Sequence, residues 1–386
     1  MKKLNFSLTV LSLVFILFTG CKKDGINELS GLSIVGNVEG DDALQKNGGS
    51  GAVYVMDNAV SGNNILVYEI SPSGQLTSNG TFSTGGNGTG GGLGSQGSLI
   101  IEKDYLYACN AGSNEISVLK VTNSGLTFID KISSNGIRPI SVTVKKDMLY
   151  VLNAGGPGNI SGFNILPNNH LSHIAGSDRP LSSMASGPAQ IEFDQPGKQL
   201  VVTEKATNNI VIYDVNNSGV ASMGVVHASV GATPFGFAFG KNNTLIVSDA
   251  FGGSAGLSAL TSYSLNNNGN LNLVTGPVAT NQTAACWVVV TKDGRFCYTT
   301  NTGSDNVSGY SIQNSGALTL LNSNGITGVT GDAPIDMSLS KNSRFLYVLN
   351  AIGHTITMFE VGQNGSLTSL GELGGLAMGA VGMAAE

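Results

Sequence analysis

Seven copies of one short pattern run through this chain, and a pattern repeated at that interval leaves few folds open. Each copy is an apolar strand ending in a short polar or acidic residue, then a second strand centred on an aromatic residue or Leu, then a turn. The first strands end at Asp57, Asn110, Asn153, Glu204, Asp249, Asn301 and Asn350, and the second strands centre on Tyr68, Leu119, Phe163, Tyr213, Tyr263, Tyr310 and Phe359. Alternation and β-branched residues mark these segments as strands rather than helices. Successive copies lie roughly 43 to 53 residues apart, the length of one four-stranded propeller blade. The expected fold is all-β: a seven-bladed β-propeller, each blade with an inner strand, two middle strands and an outer strand.

The ends of the repeat say how the ring closes. The first blade begins at Ala52, already in its second strand, with no inner strand before it, and the chain continues past the seventh outer strand to Glu386. Residues 377–383 read as the missing inner strand, so that a C-terminal strand completes the first blade and removes an exposed edge. Residues 51–386 are therefore expected to form one domain despite their length. The 54 Gly residues fit many tight turns, such as Asn217-Ser218-Gly219 and Gln363-Asn364-Gly365.

The N-terminus carries a second signal. Lys2-Lys3 precedes an apolar run to Phe18, too short for a comfortable membrane span but suited to a secretory signal. It ends in Phe18-Thr19-Gly20-Cys21, which resembles a bacterial lipobox. That resemblance implies a signal peptide over residues 1–20, a diacylglycerol on the Cys21 sulfur and a polar tether over 21–50. It places the protein in the bacterial cell envelope, lipid-anchored at the outer membrane; an ordinary signal peptide with a chance Cys is the other reading. Removing Lys2 and Lys3 takes the net charge from −6 to −8, and no basic stripe argues for nucleic acid as a partner. Cys109, Cys286 and Cys297 remain, an odd number that forbids a complete disulfide set, and are expected as buried thiols.

In a propeller the seven strand-ending polar residues share one face with the links between blades. Arg138, Arg179, Trp287 and His354 are expected nearby, which makes this mouth of the channel a candidate polar ligand site. The competing reading is that these short side chains bond their own turns, as their recurrence in every blade suggests. The run from Gly85 to Gly92 lacks the Lys-Ser/Thr of a phosphate loop and reads as a flexible link between blades. His170 and His173 lack the Cys or carboxylate company of a metal site, and no cofactor is expected.

The repeat resembles the seven-bladed lactonase family, which includes 6-phosphogluconolactonase and carboxymuconate-lactonising enzymes. The stretch from Ala285-Cys286-Trp287 through Lys292-Asp293-Gly294-Arg295 to Asn301 carries the resemblance furthest. It implies catalytic groups at set places: a His opening the fourth inner strand, an Arg-His pair at the fifth, a Glu ending the next strand and an Arg in the sixth blade. Here those places hold Ala189 and Gln190, Phe235 and Gly236, Asp249 or Ala250, and Thr302. Loss of a general acid or base typically costs about 10²–10⁴ in rate. Two readings follow. One is a lipid-anchored binding or scaffold module for a small molecule or an envelope protein, without lactonase chemistry. The other is a lactone hydrolase using Glu204 or Asp249 with Arg138 or Arg179.

Overall fold

The computed structural model describes residues 51–386; the expected signal peptide, Cys21 and the tether lie outside the described residues. These residues form seven antiparallel sheets of four or five strands, and the protein is a seven-bladed β-propeller. Blades 2 to 7 each begin at an inner strand and run outward in sequence order. Their inner strands are Leu99–Glu102, Pro139–Lys145, Pro188–Phe193, Pro234–Phe239, Ala285–Val290 and Pro334–Leu339. The seven expected second-strand centres all lie in the third strand of a blade, buried against the neighbouring sheet.

Blade 1 is a composite. Its inner strand is Val381–Ala385, paired antiparallel with Ala52–Met56 from the other end of the propeller. Closure by the C-terminal strand thus occurs as expected, a few residues later than 377–383. Glu386 finishes the seam: its backbone N–H donates to the Ala52 carbonyl at 3.0 Å, and Tyr54 Oη donates to its carboxylate at 2.8 Å.

The aromatic residues of the repeat have a clear physical task. Second-strand tyrosines reach forward to the hairpin of the next blade: Tyr150 donates to Gly219 O at 2.6 Å, Tyr298 to Gly365 O at 3.0 Å and Tyr347 to Gly74 O at 3.1 Å. Third-strand tyrosines reach back, Tyr213 to Pro180 O and Tyr310 to Val278 O. Each ring buries apolar area while its hydroxyl finds a partner, as buried Tyr requires. Between blades the sheets pack face to face. Cys109, Val118, Leu149, Val151 and Phe163 fill one such layer, and Val201, Ile212, Phe237, Leu245 and Tyr263 another. Cys109 and Cys297 are free buried thiols, as expected; Cys286, equally buried, is not one of them.

A second repeat appears where each link enters an inner strand. The residue just before the strand adopts a positive φ of 56° to 58° at Arg138, Gly187, Thr233, Ala284 and Ala333, and the pairing register then shifts. Four of these five residues are not glycine, in a backbone region that such residues seldom occupy. Their recurrence makes the kink part of the blade architecture. It turns the link from the rim down into the channel.

Candidate functional site

The face with the strand-ending polar residues is built from side chains that bond their own blades. Asn110 donates to Ser117 Oγ at 2.7 Å, Asn301 to Ser308 Oγ at 2.8 Å and Asn350 to Thr357 Oγ1 at 2.8 Å. Asp57 accepts from the backbone N–H groups of Ala59 and Asn64. A glycine in the preceding link lies over several of these groups: a Cβ on Gly86, Gly136 or Gly231 would sit 2.0 to 2.4 Å from the side chain of Asn110, Asn153 or Asp249. The recurring polar set is thus spent on its own blades and on the links that join them.

Glu204 and Asp249, the two acidic catalytic candidates, are wholly buried in this pattern. Glu204 accepts from Ser182 N at 2.9 Å, from the Ser182 hydroxyl and from Thr207 Oγ1 at 2.8 Å, holding the link between blades 3 and 4. Asp249 accepts from Thr261 Oγ1 at 2.5 Å, while its Oδ1 has no partner. Burial pushes its carboxyl up to about 8, with the Thr261 hydrogen bond opposing.

The four ligand candidates stand on different elements. Arg138 is exposed on the blade 2 to blade 3 link. Arg179 lies in a short outer strand and spends its guanidinium on the carbonyls of Gly176, Asp178 and Ser222. His354 is in a blade 7 loop with φ 52°. Trp287 is buried, its ring 4.9 Å from that of Phe235 and its indole N–H donating to Ser95 O at 3.0 Å. His170 and His173 pair with Asp130 and Asp178, away from the inner strands. Among the described residues no group of three or more His, Cys, Asp and Glu could hold a metal ion.

What fills the mouth is the chain itself. The link from blade 1 to blade 2, expected to be flexible, is pinned along its length: Gly86 O accepts from Asn63 N, Gly88 N and Gly90 N donate to Ala59 O and Asn58 O, and Gly94 O accepts from Lys205 Nζ. Its end then descends into the channel. Ser95 Oγ donates to Ile140 O of blade 3 at 2.8 Å, and Gln96 N to Ala189 O of blade 4 at 3.1 Å. The Gln96 carboxamide donates to Val288 O of blade 6 at 2.8 Å and accepts from Val288 N at 2.9 Å. Gly97 O accepts from Val142 N at 2.8 Å. This plug needs Gly236, because a Cβ there would lie 2.2 Å from Gln96 Oε1. The positions where the lactonase resemblance calls for His and Arg are buried under it or bridged by their own side chains. Ala189 and Phe235 are 0% exposed, and Gln190 exchanges two hydrogen bonds with the Phe237 backbone. Lys205, over the Phe235 ring at 4.6 Å, secures the edge; burial pulls its ammonium down to about 7, with the Arg138 charge adding to the effect.

Below the plug the channel holds a cavity of about 550 Å³. Gln96 and Gly97 roof it, and inner-strand residues line it down to Glu102, Val290, Ser338 and Ala385 at the other mouth. Val142, Ile191, Val289 and Met383 share the wall with Gln96, Thr143, Gln190, Glu192 and Asp336, and polar groups make up the larger part of it. Asp336 accepts from Met337 N at 2.8 Å and Met383 N at 3.1 Å. Glu192 accepts from Gln190 Nε2 at 2.9 Å. Burial pushes both carboxyls up to about 8, against the pull of the two backbone donors on Asp336 and of Lys145 and Gln190 on Glu192. Sequence reasoning missed both. Their signal was an acidic residue inside an inner strand, where a wholly apolar or neutral residue costs less.

Comparison with known proteins agrees with the geometry. Residues 258–377, less than half of the chain, match a family model. That family is the lactonase, 7-bladed beta-propeller family. A relative from Lactococcus lactis, the uncharacterized protein YwcC, is 24% identical over 282 residues, covering 67% of this chain and 78% of its own. Among solved structures, a Bacteroides fragilis protein provisionally called a 6-phosphogluconolactonase superposes with a TM-score of 0.69 at 17% identity, covering 89% of this chain and all of its own. The periplasmic gluconolactonase of Pseudomonas aeruginosa gives 0.66 at 16% identity over 87% of this chain and 98% of its own. At these identities the structural likeness is one of fold, and the lactonase-like propeller is the shared frame.

Proposed function

We propose that this chain is a lactonase-like propeller working as a binding or scaffold module without lactonase chemistry. One observation carries the reading: Gln96 and Ser95 occupy the channel mouth where the resemblance calls for catalytic His and Arg. Substrate would have no room beside Ala189 and Gly236, and neither residue can transfer a proton. Glu204 and Asp249, the rival acids, are buried, Glu204 holding Ser182 of the link between blades 3 and 4 and Asp249 bonded to Thr261. The names of the structural neighbours favour the second reading, a lactone hydrolase, so hydrolysis is the test. Release of acid from 6-phosphogluconolactone, followed at constant pH, is expected to stay at the buffer rate. Turnover that disappears in Glu204→Gln or Asp249→Asn would establish the hydrolase instead. The proposal includes lipid attachment at Cys21 and residence in the bacterial cell envelope, at the outer membrane, with a small molecule or envelope protein as the bound partner.

A further inference from the structure

We propose that two copies of this chain meet through the faces that carry the plugged mouth, as a dimer whose two-fold axis lies in that face. The links between blades and the turns after the strand-ending polar residues form this face. Val60, Ile137, Met184, Val230, Val329 and Met378 all stand there, between 49% and 83% exposed and spread around the ring. Exposed apolar residues gathered on one face mark an interaction surface. In the same links and turns the exposed charged residues are Arg138, Asp178 and Asp332. At the other end of the channel the inner hairpins of blades 2 to 7 each put out an exposed Lys, from Lys103 in blade 2 to Lys341 in blade 7. The apolar, charge-poor character thus belongs to one face. Four strands at about 4.8 Å spacing carry each blade roughly 15–20 Å outward from the channel, so the ring covers on the order of 1,000 Å². Each partner gives about 800 Å² to a standard interface.

Charge selects a second copy as the occupant. Asp178 is spent on Asn135 and His173. Arg138 and Asp332 have neither a side-chain hydrogen bond nor an ion pair among the described residues. Arg138 lies on the link from blade 2 to blade 3, and Asp332 on the link from blade 6 to blade 7. In blade order Val230, on the link from blade 4 to blade 5, is midway between them on one side, and Val60, in blade 1, is midway on the other. A two-fold axis through Val230 and Val60 therefore exchanges the two links. It sets Arg138 of each copy toward Asp332 of the other and Ile137 toward Val329, while Val230 and Val60 meet their own counterparts. That is the reciprocal pairing of a two-fold contact. Burial of the apolar ring drives association, and the two charge pairs fix its orientation. The contact forms with or without lactonase chemistry.

The test is sedimentation velocity on residues 22–386, the expected processed chain without its lipidated Cys, from about 1 to 100 μM. Twice the monomer mass is expected at the upper end. Val230→Asp keeps the backbone bond to Tyr263 and sets two carboxylates together on the axis, so it should weaken the dimer at least about tenfold. Arg138→Asp and Asp332→Arg should each do the same, and the two together should restore association to within about threefold of wild type. Unchanged melting temperatures show that each variant is folded. A monomer at every concentration would overturn the proposal, and flotation of that monomer with phospholipid vesicles would give the face to a lipid surface instead. A dimer that neither Val230→Asp nor Arg138→Asp weakens would also overturn it, since its contact lies elsewhere. Lactone turnover would remove the binding-module reading and leave sedimentation unaltered.

Discussion

Gln96 and Val288 exchange two hydrogen bonds, Nε2 to the Val288 carbonyl at 2.8 Å and the Val288 N–H to Oε1 at 2.9 Å, as if the carboxamide were a peptide group of a neighbouring strand. Inner strands converge on the channel axis without pairing through backbone, so their inward groups need other partners. Gln190 does the same for Phe237, and Ser141 and Thr143 accept from the N–H groups of Ile191 and Phe193. The plug belongs to this ring of side-chain bridges.

Gln96→Ala should therefore cost more than a surface change. It strands the Val288 N–H and carbonyl in the interior, at about 1–3 kcal/mol per buried unsatisfied group. We expect a loss of about 2–4 kcal/mol by urea denaturation, unless water enters to replace the amide. Gln96→Glu should be as damaging, because a carboxylate cannot donate to Val288 O. A stability change below about 0.5 kcal/mol for both would show that the plug is not held by these bonds.

Asp249 makes the pH dependence testable. Burial holds its folded-state carboxyl up to about 8, while an unfolded Asp titrates near about 3.9. The folded protein keeps the proton that the unfolded chain releases, so this contribution is full below about pH 4 and is lost as pH rises toward about 8. Glu192 and Asp336 act in the same direction. Asp249→Asn, the residue found at this place in four other blades, should flatten the profile and add about 1–3 kcal/mol at pH 7. Denaturation midpoints at pH 5 and pH 7.5 check it; a steeper fall in the variant would contradict the assignment.

Deleting residues 377–386 removes the inner strand of blade 1. Ala52–Met56 would become an open edge, and Tyr54 and Asp336 would lose their bonds to Glu386 and Met383. Light scattering is expected to show oligomers or aggregates, and melting to lose its cooperativity. A monomer with unchanged melting temperature would mean that the ring closes by other means.

Lipid attachment is checked at Cys21. Labelled fatty acid should enter the wild-type protein and not Cys21→Ser; labelling that survives the substitution excludes this anchor.

The blades were legible because their signal is periodic. Tyr150, Tyr298 and Tyr347 recur at matching places and do the same work in blades 3, 6 and 7, and the strand pattern around them repeats in all seven. The recurring Asn and Asp residues were legible for the same reason, since seven copies of one ligand group are hard to reconcile with one site. The plug was not. Ser95 and Gln96 occur once, and the glycine run before them resembles a slack linker. What holds that run is a set of long-range bonds to Asn58, Ala59 and Asn63 that no local propensity encodes. Trp287 misled in the same way: an indole at a channel mouth suggests stacking, yet its face is covered by Phe235 and its N–H by Ser95.

The shared sheet of Ala52–Met56 and Val381–Ala385 also sets an order of events during synthesis. The first strand of the propeller leaves the ribosome long before the strand that will lie inside it, and blades 2 to 7 emerge in between. Those six can each pair locally as they appear, because their four strands are consecutive. Blade 1 has to wait, its inner edge open, until the last strand arrives. Ring closure is then a late step on which the whole circuit depends, and the waiting edge is the place where another chain, or a chaperone that binds extended backbone, would find this protein before it is finished.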